Sequence, residues 1–129
     1  MSIERRTFLA GTAAFAAVGA ASAIEKGGSM YGLIGKMTAQ PGKRDALTQV
    51  LIDGVAGMPG CLSYVVANDP ADTGLIWITE VWDSKEAHAA SLSLPSVRDA
   101  ITKGRPLIAG MERVAETAPV GGSGFKNGR

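Results

Sequence analysis

Three side chains that could do chemistry lie close together in the sequence: Glu80, Trp82 and His88. They fall in the stretch LIWITEVWDSKEAH, which reads as an apolar strand followed at once by the start of a helix. Side chains alternate along a strand, so Glu80 and Trp82 share one face. Histidine ordinarily titrates near neutral pH, which makes His88 a candidate general base. Glu80 could orient that histidine or hold the proton itself.

Each of these residues also has a structural interpretation. A carboxylate among apolar neighbours is costly unless it is paired, and Glu80 could form a structural pair with Arg98 or Arg105. Trp82 could be a flat wall for an aromatic ligand or simply part of the core. His88 could be a helix histidine with one structural hydrogen bond. The segment therefore forms either the wall of a pocket or a core strand in which Glu80 is paired with another residue.

Two further polar residues are candidates for contact with a ligand. Tyr64 alternates onto the same strand face as Val66, and its hydroxyl could bond a ligand oxygen or a buried backbone group. Arg105, in the Gly-Arg-Pro turn, could hold an anionic oxygen at a pocket mouth or lie on the surface over the core.

Composition argues against several functional classes. One histidine and one cysteine, Cys61, do not make a convincing zinc or iron site. A lone cysteine forms no internal disulfide, and this one follows Pro59-Gly60 at a predicted strand start, where we expect burial. There is no phosphate-binding glycine pattern, no nucleophile elbow and no basic stripe for nucleic acid. We therefore expect no cofactor, no metal and no nucleic-acid partner.

The first 23 residues resemble an export signal. Arg5 and Arg6 precede an apolar run rich in Ala and Gly, and the small-residue triplet Ala21-Ser22-Ala23 reads as a cleavage site. Arg-Arg-x-Phe-Leu resembles the twin-arginine motif, with Glu4 where Ser or Thr is usual. The run is too short to be a stable membrane anchor. Export to the periplasm or outside would leave a chain from Ile24 with 11 basic and 11 acidic residues.

Hydrophobic periodicity and turn signals divide the rest of the chain into a linker at 24–29, one domain at 30–118 and a flexible Gly-rich tail at 119–129. The predicted order is β-α-β-β-α-β, the ferredoxin-like arrangement, with a four-stranded antiparallel sheet and both helices on one face. Asp83 is the predicted N-cap of the second helix. The predicted strands are at 30–39, 61–67, 75–82 and 111–118. The predicted helices are at 43–58 and 83–94, and Pro95 interrupts the second one and opens a further helical piece at 95–103.

A sheet with helices on one face leaves its other face bare. Tyr31, Leu33 and Met37, together with Trp77 and Val81, are predicted to give that bare face an apolar surface. A two-fold homodimer with the sheets packed face to face would cover it.

Several short motifs, in order and on the expected elements, resemble one family. Pro41-Gly42-Lys43, the run 58–64 (MPGCLSY) and the run 80–87 (EVWDSKEA) are similar to the antibiotic biosynthesis monooxygenase domain. The resemblance covers about residues 30–118. It implies a dimeric α+β barrel, and characterised members oxidise quinols or polycyclic phenols with O₂ and neither metal nor flavin. Others degrade haem, and many have no assigned reaction.

The resemblance also carries departures. Ser91 stands where the family often has a histidine, and His88 lies three residues before it. The haem-degrading branch has an Asn–Trp–His set, of which only Trp82 matches, because Gly35 takes the place of the asparagine and no later histidine exists. Haem degradation is therefore disfavoured.

The sequence thus predicts an exported, dimeric, cofactor-independent monooxygenase acting on a quinol or a related phenolic or polycyclic aromatic. His88 and Glu80 are the expected catalytic residues, with Trp82, Tyr64, Ser91 and Arg105 contacting the substrate. The alternative is a non-enzymatic dimeric α+β barrel that binds a small molecule or serves in a stress response, since one fold hosts many functions.

Overall fold

The computed structural model describes residues 29–125. The predicted export signal, most of the predicted linker and residues 126–129 of the predicted tail lie outside this range. None of the helices within it is long and apolar enough to cross a membrane. In chain order the elements are β1 (Tyr31–Ala39), α1 (Arg44–Gly54), β2 (Cys61–Asn68), β3 (Leu75–Trp82), α2 (Lys85–Ser91), α3 (Pro95–Gly104), a 3₁₀ turn (Arg105–Leu107) and β4 (Ile108–Thr117).

The four strands form one antiparallel sheet in the order β2-β3-β1-β4. The two central strands, β3 and β1, are far apart in sequence, and the hairpin between β2 and β3 supplies one edge. This order confirms the predicted ferredoxin-like fold. The strand register also decides which side chains meet at the helices: Leu33 pairs with Glu80 and Tyr31 with Trp82.

The helices pack on one face of this sheet through two groups of buried side chains. Trp82 and Leu33 form one group with Met58, and side chains from α2, from α3 and from the turn after α1 pack against it. Leu47 of α1 and Ile76 of β3, both fully buried, anchor the other. The buried state of Cys61, in the first group, agrees with its predicted burial.

The prediction that Tyr31, Leu33 and Met37 lie on the bare face is wrong. All three are buried on the helix-facing side, because the register of β1 against β3 aligns them with the inward-facing residues of that strand. The first strand carries apolar residues on both faces, so alternation alone could not decide which set points inward. Trp77 and Val81 do lie on the opposite, outer face, where they are half-buried.

Several element boundaries differ from the predicted ones, including the end of α2, which is Ser91 rather than 94. Helix α1 ends at Gly54 rather than 58, and β4 begins at Ile108 rather than 111, with irregular pairing against β1. The predicted cap is also wrong: Ser84, not Asp83, caps α2, and its Oγ accepts the backbone N–H of Ala87 at 3.0 Å. Asp83 instead donates its backbone N–H to Gly60 O at 2.8 Å, which extends the strand pairing by one residue and moves the helix start along the chain.

A glycine fixes how closely α2 approaches the sheet. Gly60 adopts a φ of +82°, and a Cβ at this position would lie 2.6 Å from the Cβ of Ala87. Only a residue without a side chain permits both that backbone conformation and that contact. The approach brings the first turn of α2, which includes His88, over the end of β3.

The outer face of the sheet combines apolar and charged side chains. Trp77 lies at its centre, donates its indole N–H to Asp69 Oδ2 at 2.9 Å and has the ammonium of Lys36 5.4 Å from its ring centre. Lys36 also pairs with Glu112 on β4 at 3.4 Å. Val65 of β2 is 51% exposed beside this group. In the described part of the chain no element covers this face.

Candidate functional site

A cavity of about 730 Å³ lies between the sheet and the helices. Its wall is mostly apolar, with side chains from both central strands and from α1 and α3. Gly35 of β1 leaves open space in this wall, because a Cβ there would meet only the carbonyl oxygen of Glu112, at 3.4 Å. The six side chains predicted from the sequence all line this one cavity: Tyr64, Glu80, Trp82, His88, Ser91 and Arg105.

The carboxylate of Glu80 is the centre of the polar part of the wall. Its Oε1 accepts the indole N–H of Trp82 at 2.8 Å, and the same oxygen lies 3.8 Å from Nε2 of His88. The second distance is too long for a hydrogen bond but close enough for an ion pair whenever the imidazole is protonated. The side chains of Glu80 and His88 are only 15% and 18% exposed. Glu80 thus pairs with Trp82 and His88 rather than with Arg98 or Arg105.

Burial controls the ionisation of this carboxylate. Loss of water around Glu80 raises its pKa above the ordinary value, because a charge is less well solvated inside the protein. The indole N–H of Trp82 and the positive charges of His88 and Arg113 oppose that shift by stabilising the ionised form. The protonation of Glu80 therefore depends on the groups around it. Carboxyl groups with a perturbed pKa are common at functional sites.

Two aromatic rings hold the imidazole of His88. The Trp82 ring meets it edge-on with centroids 5.4 Å apart, and the Tyr31 ring lies tilted against it at 5.6 Å. Such contacts fix the plane of a ring more firmly than contacts with flexible aliphatic side chains. The imidazole thus contacts both aromatic rings, and its Nε2 lies towards Glu80.

The remaining predicted residues differ in what they can offer a ligand. Ser91 is buried, and its hydroxyl donates to the backbone oxygen of His88 at 2.6 Å, so its proton is already engaged. Burial and the nearby carboxylate of Glu80 raise the pKa of Tyr64, so its phenol keeps its proton and remains a donor. Arg105 is exposed on the 3₁₀ turn at the cavity wall and makes no ion pair with any residue in the range 29–125.

Three residues around His88 are not predictable from the sequence alone. Tyr31 lies on the face opposite to the predicted one, and no local pattern marks Arg113 and Glu116 of β4. Arg113 pairs with Gly35 across the sheet, lines the cavity and acts electrostatically on Glu80. Only the register of β4 against β1 brings these residues to the site, and a one-residue irregularity in that pairing hides it from a simple alternation pattern.

No three His, Cys, Asp or Glu side chains within residues 29–125 are grouped so that they could hold a metal ion.

This chain belongs to one family of proteins. The sequence profile described as antibiotic biosynthesis monooxygenase matches residues 30–103, more than half of the chain, and the chain is a member of that family. No match to the chain was found among curated proteins.

Solved structures agree with this membership. A protein from Chloroflexus aurantiacus with the provisional name antibiotic biosynthesis monooxygenase is 67% identical, with 74% of this chain and 97% of that chain covered and a TM-score of 0.70. A protein from Caulobacter crescentus with the same provisional name is 21% identical, with coverages of 78% and 99% and a TM-score of 0.66. The second likeness, at lower identity, shows the shared fold alone.

The raised pKa of Glu80 predicts how stability depends on pH. An acid that is harder to ionise in the folded state than in the unfolded state destabilises the fold as it loses its proton. For Glu80 this loss begins near its ordinary value of 4.5 and continues through the raised value in the folded protein. Glu80→Gln keeps an acceptor for the Trp82 N–H without the charge, so the melting temperature of the variant relative to wild type should rise with pH. A difference that stays constant from pH 4 to pH 8 would contradict the assignment.

Proposed function

We propose that this protein is a cofactor-independent monooxygenase that oxidises a quinol, or a related phenolic or polycyclic aromatic compound, with O₂. The observation that carries the proposal is the shared carboxylate oxygen of Glu80, 2.8 Å from the indole nitrogen of Trp82 and 3.8 Å from the imidazole of His88, in the wall of an apolar cavity. The family membership of the chain adds support, since its relatives carry monooxygenase names.

The proton step begins with the hydroxyl of the bound substrate. His88 takes the phenolic proton, and the imidazolium that forms lies 3.8 Å from Glu80 Oε1, where a carboxylate stabilises it. The low polarity of the wall strengthens that attraction compared with water. A hydroxyl that has lost its proton gives up an electron to O₂ far more readily than a neutral phenol does, so the base starts the oxidation.

The electrons for the reaction come from the substrate. One electron passes from the substrate anion to O₂, and the radical and superoxide combine at a ring carbon to give a hydroperoxide. Its O–O bond breaks as the carbon–oxygen double bond forms, and one oxygen leaves as water. In balance, a substrate SH₂ and O₂ give SO and H₂O, so no external reductant is required.

The other lining residues bind and orient the substrate in this proposal. Trp82 provides a flat wall against which an aromatic ring can lie. The phenol of Tyr64 keeps its proton and can donate a hydrogen bond to a substrate oxygen. Arg105 is available at the wall for an anionic oxygen, while Ser91 offers only a hydroxyl lone pair because its proton bonds the backbone. A volume near 730 Å³ lies within the roughly 300–1,000 Å³ of typical small-molecule sites.

One observation favours a second candidate, a non-enzymatic small-molecule-binding or stress-response protein. The polar hydrogens of Trp82 and Ser91 both bond protein acceptors, so they are not available to a ligand. A cavity with an apolar wall and few available polar groups is sufficient for binding without chemistry. Measurement of oxygen consumption separates the two candidates.

We further propose that the protein is a homodimer through the outer face of its sheet. Trp77 and Val81 are half-buried there and Val65 is half-exposed, which is a larger apolar surface than isolated exposed residues provide. The Lys36–Glu112 pair on the same face supplies charged groups of both signs for a two-fold contact.

We also propose export through a twin-arginine-like signal, with release of the chain beginning at Ile24. The support is the Arg5-Arg6 pair, the apolar run and the Ala21-Ser22-Ala23 triplet.

His88→Ala should lower quinol-dependent oxygen uptake by about a hundred- to ten-thousand-fold, the usual effect of removing a general base. Uptake by the purified protein is recorded with hydroquinones, naphthols and anthrones, and each variant is first checked for folding. Glu86→Ala, at an exposed position on the same helix, is the control and should keep the wild-type rate.

A folded His88→Ala variant with wild-type rates would show that the base is another residue, with Glu80 the next candidate. If wild-type protein consumes no oxygen with any compound offered, the binding function is favoured instead.

Val65→Glu should weaken the dimer, because it places a charge in a contact between two apolar sheet faces. Ile52→Glu is a matched control, since Ile52 is 52% exposed against 51% for Val65 but lies on α1, away from the outer face. Light scattering over a range of concentrations measures the effect. A monomeric wild type, or equal dissociation of the two variants, would count against this interface.

The intact mass of the exported protein should equal that of residues 24–129, with Ile24 as the first residue. Mass spectrometry of protein recovered from outside the cytoplasm tests this, and a product that keeps Met1 would refute the predicted cleavage.

A further inference from the structure

Tyr31 lies behind the histidine rather than in the cavity. It is the first residue of β1, is 9% exposed, and its ring contacts the imidazole of His88 at a centroid distance of 5.6 Å. It does not line the large cavity. It lines a separate surface depression together with Lys85 and Glu116. The Tyr31 ring therefore stands between His88 and the protein surface, where a ligand in the large cavity does not contact it.

An exposed carboxylate anchors the far end of this tyrosine. The phenol of Tyr31 donates to Glu116 Oε2 at 2.6 Å, and the same oxygen accepts from the guanidinium of Arg113 at 3.0 Å. The hydrogen bond from Tyr31 lowers the pKa of Glu116, and the bond to Glu116 raises the pKa of Tyr31. Donor and acceptor thus both keep the protonation state that the bond requires. The ammonium of Lys85 lies 5.9 Å from the centre of the Tyr31 ring and adds a further contact.

Each of the two aromatic rings that contact the imidazole is hydrogen-bonded to a carboxylate. Trp82 contacts His88, and its polar atom is bonded to Glu80; Tyr31 also contacts His88, and its polar atom is bonded to Glu116. Packing alone requires only the ring, which a phenylalanine would also supply. The hydrogen bond from the Tyr31 hydroxyl to the exposed carboxylate of Glu116 is therefore an additional restraint. The anchor restrains the tilt of the tyrosine ring, and the tyrosine ring restrains the imidazole.

We infer that Tyr31, held by Glu116, is a positioning residue that fixes the imidazole of His88 in the plane needed for proton transfer. Its effect on turnover depends on the proposed function, whereas its effect on the ring of His88 does not. The charged and titratable groups around this histidine come from every element packed against it: Tyr31 of β1, Glu80 of β3, Lys85 of α2, and Arg113 and Glu116 of β4.

The test uses the fact that the chain has a single histidine. In untagged protein the carbon-bound imidazole protons give one set of NMR signals, which the neighbouring Trp82 and Tyr31 rings displace. Tyr31→Phe keeps the ring and removes the anchor, and Glu116→Gln changes only an exposed side chain. Asp99→Asn is the matched control, because Asp99 also forms an exposed ion pair, to Lys103, at the same 3.0 Å as Arg113–Glu116 but on α3.

Tyr31→Phe and Glu116→Gln should both displace or broaden the histidine signals, whereas Asp99→Asn should leave them in place. If both variants leave the signals where the control does, the inference is wrong. If Tyr31→Phe does not fold, Glu116→Gln alone decides. This measurement stands even when the protein shows no oxygen consumption, so failure of the proposed function and failure of the inference are distinguishable.

With an active quinol substrate, the same two variants should lower kcat on the order of tenfold with little change in KM, because Tyr31 does not touch the cavity. A purely structural role would lower stability without lowering kcat. A proportional rise in KM, or an unchanged kcat in both folded variants, would overturn the positioning role.

Discussion

The burial of one carboxylate is the constraint on which the rest of the site depends. Glu80 sits on the inward face of a central strand, where an uncompensated charge would be strongly unfavourable. The structure stabilises it with the indole N–H of Trp82 and the nearby imidazole of His88, at 2.8 and 3.8 Å. To supply these partners the protein has to bury a tryptophan fully and bring a helix directly over the end of the strand. The packing of the core and the geometry of the polar site therefore depend on the same residues.

That arrangement requires backbone features on both sides of the strand. Ser84 starts α2 just beyond β3, and the glycine at 60 lets the helix approach closely enough for His88 to reach Glu80. On the other side, the pairing of β1 with both β3 and β4 brings Tyr31 against the histidine. Residues more than 80 positions apart in the chain, such as Tyr31 and Glu116, meet because two antiparallel strands share a register.

The sequence predicts those features of the structure that depend on local patterns of residues. The alternation in β3, the spacing of α1 and the turn residues between elements are enough for the fold class, and the six predicted site residues all line one cavity. It failed for Tyr31, Leu33 and Met37, because β1 is apolar on both faces and only pairing with its neighbours decides which face is buried. The positions of Arg113 and Glu116 are unpredictable for a similar reason, since their contacts depend on an irregular register between distant strands.

Gly35 gives the cavity a property that its volume alone does not reveal. At this point of the wall the strand presents backbone instead of a side chain, and an added Cβ would contact a single oxygen atom. The absence of a side chain on this central strand thus adds to the capacity of the pocket. Members of the family could change the size of molecule they admit by one codon at this position, while the carboxylate, the indole and the imidazole stay where they are. The size of the pocket and its polar groups are therefore separable, because Gly35 lies on β1 whereas Glu80 and Trp82 lie on β3 and His88 lies on α2.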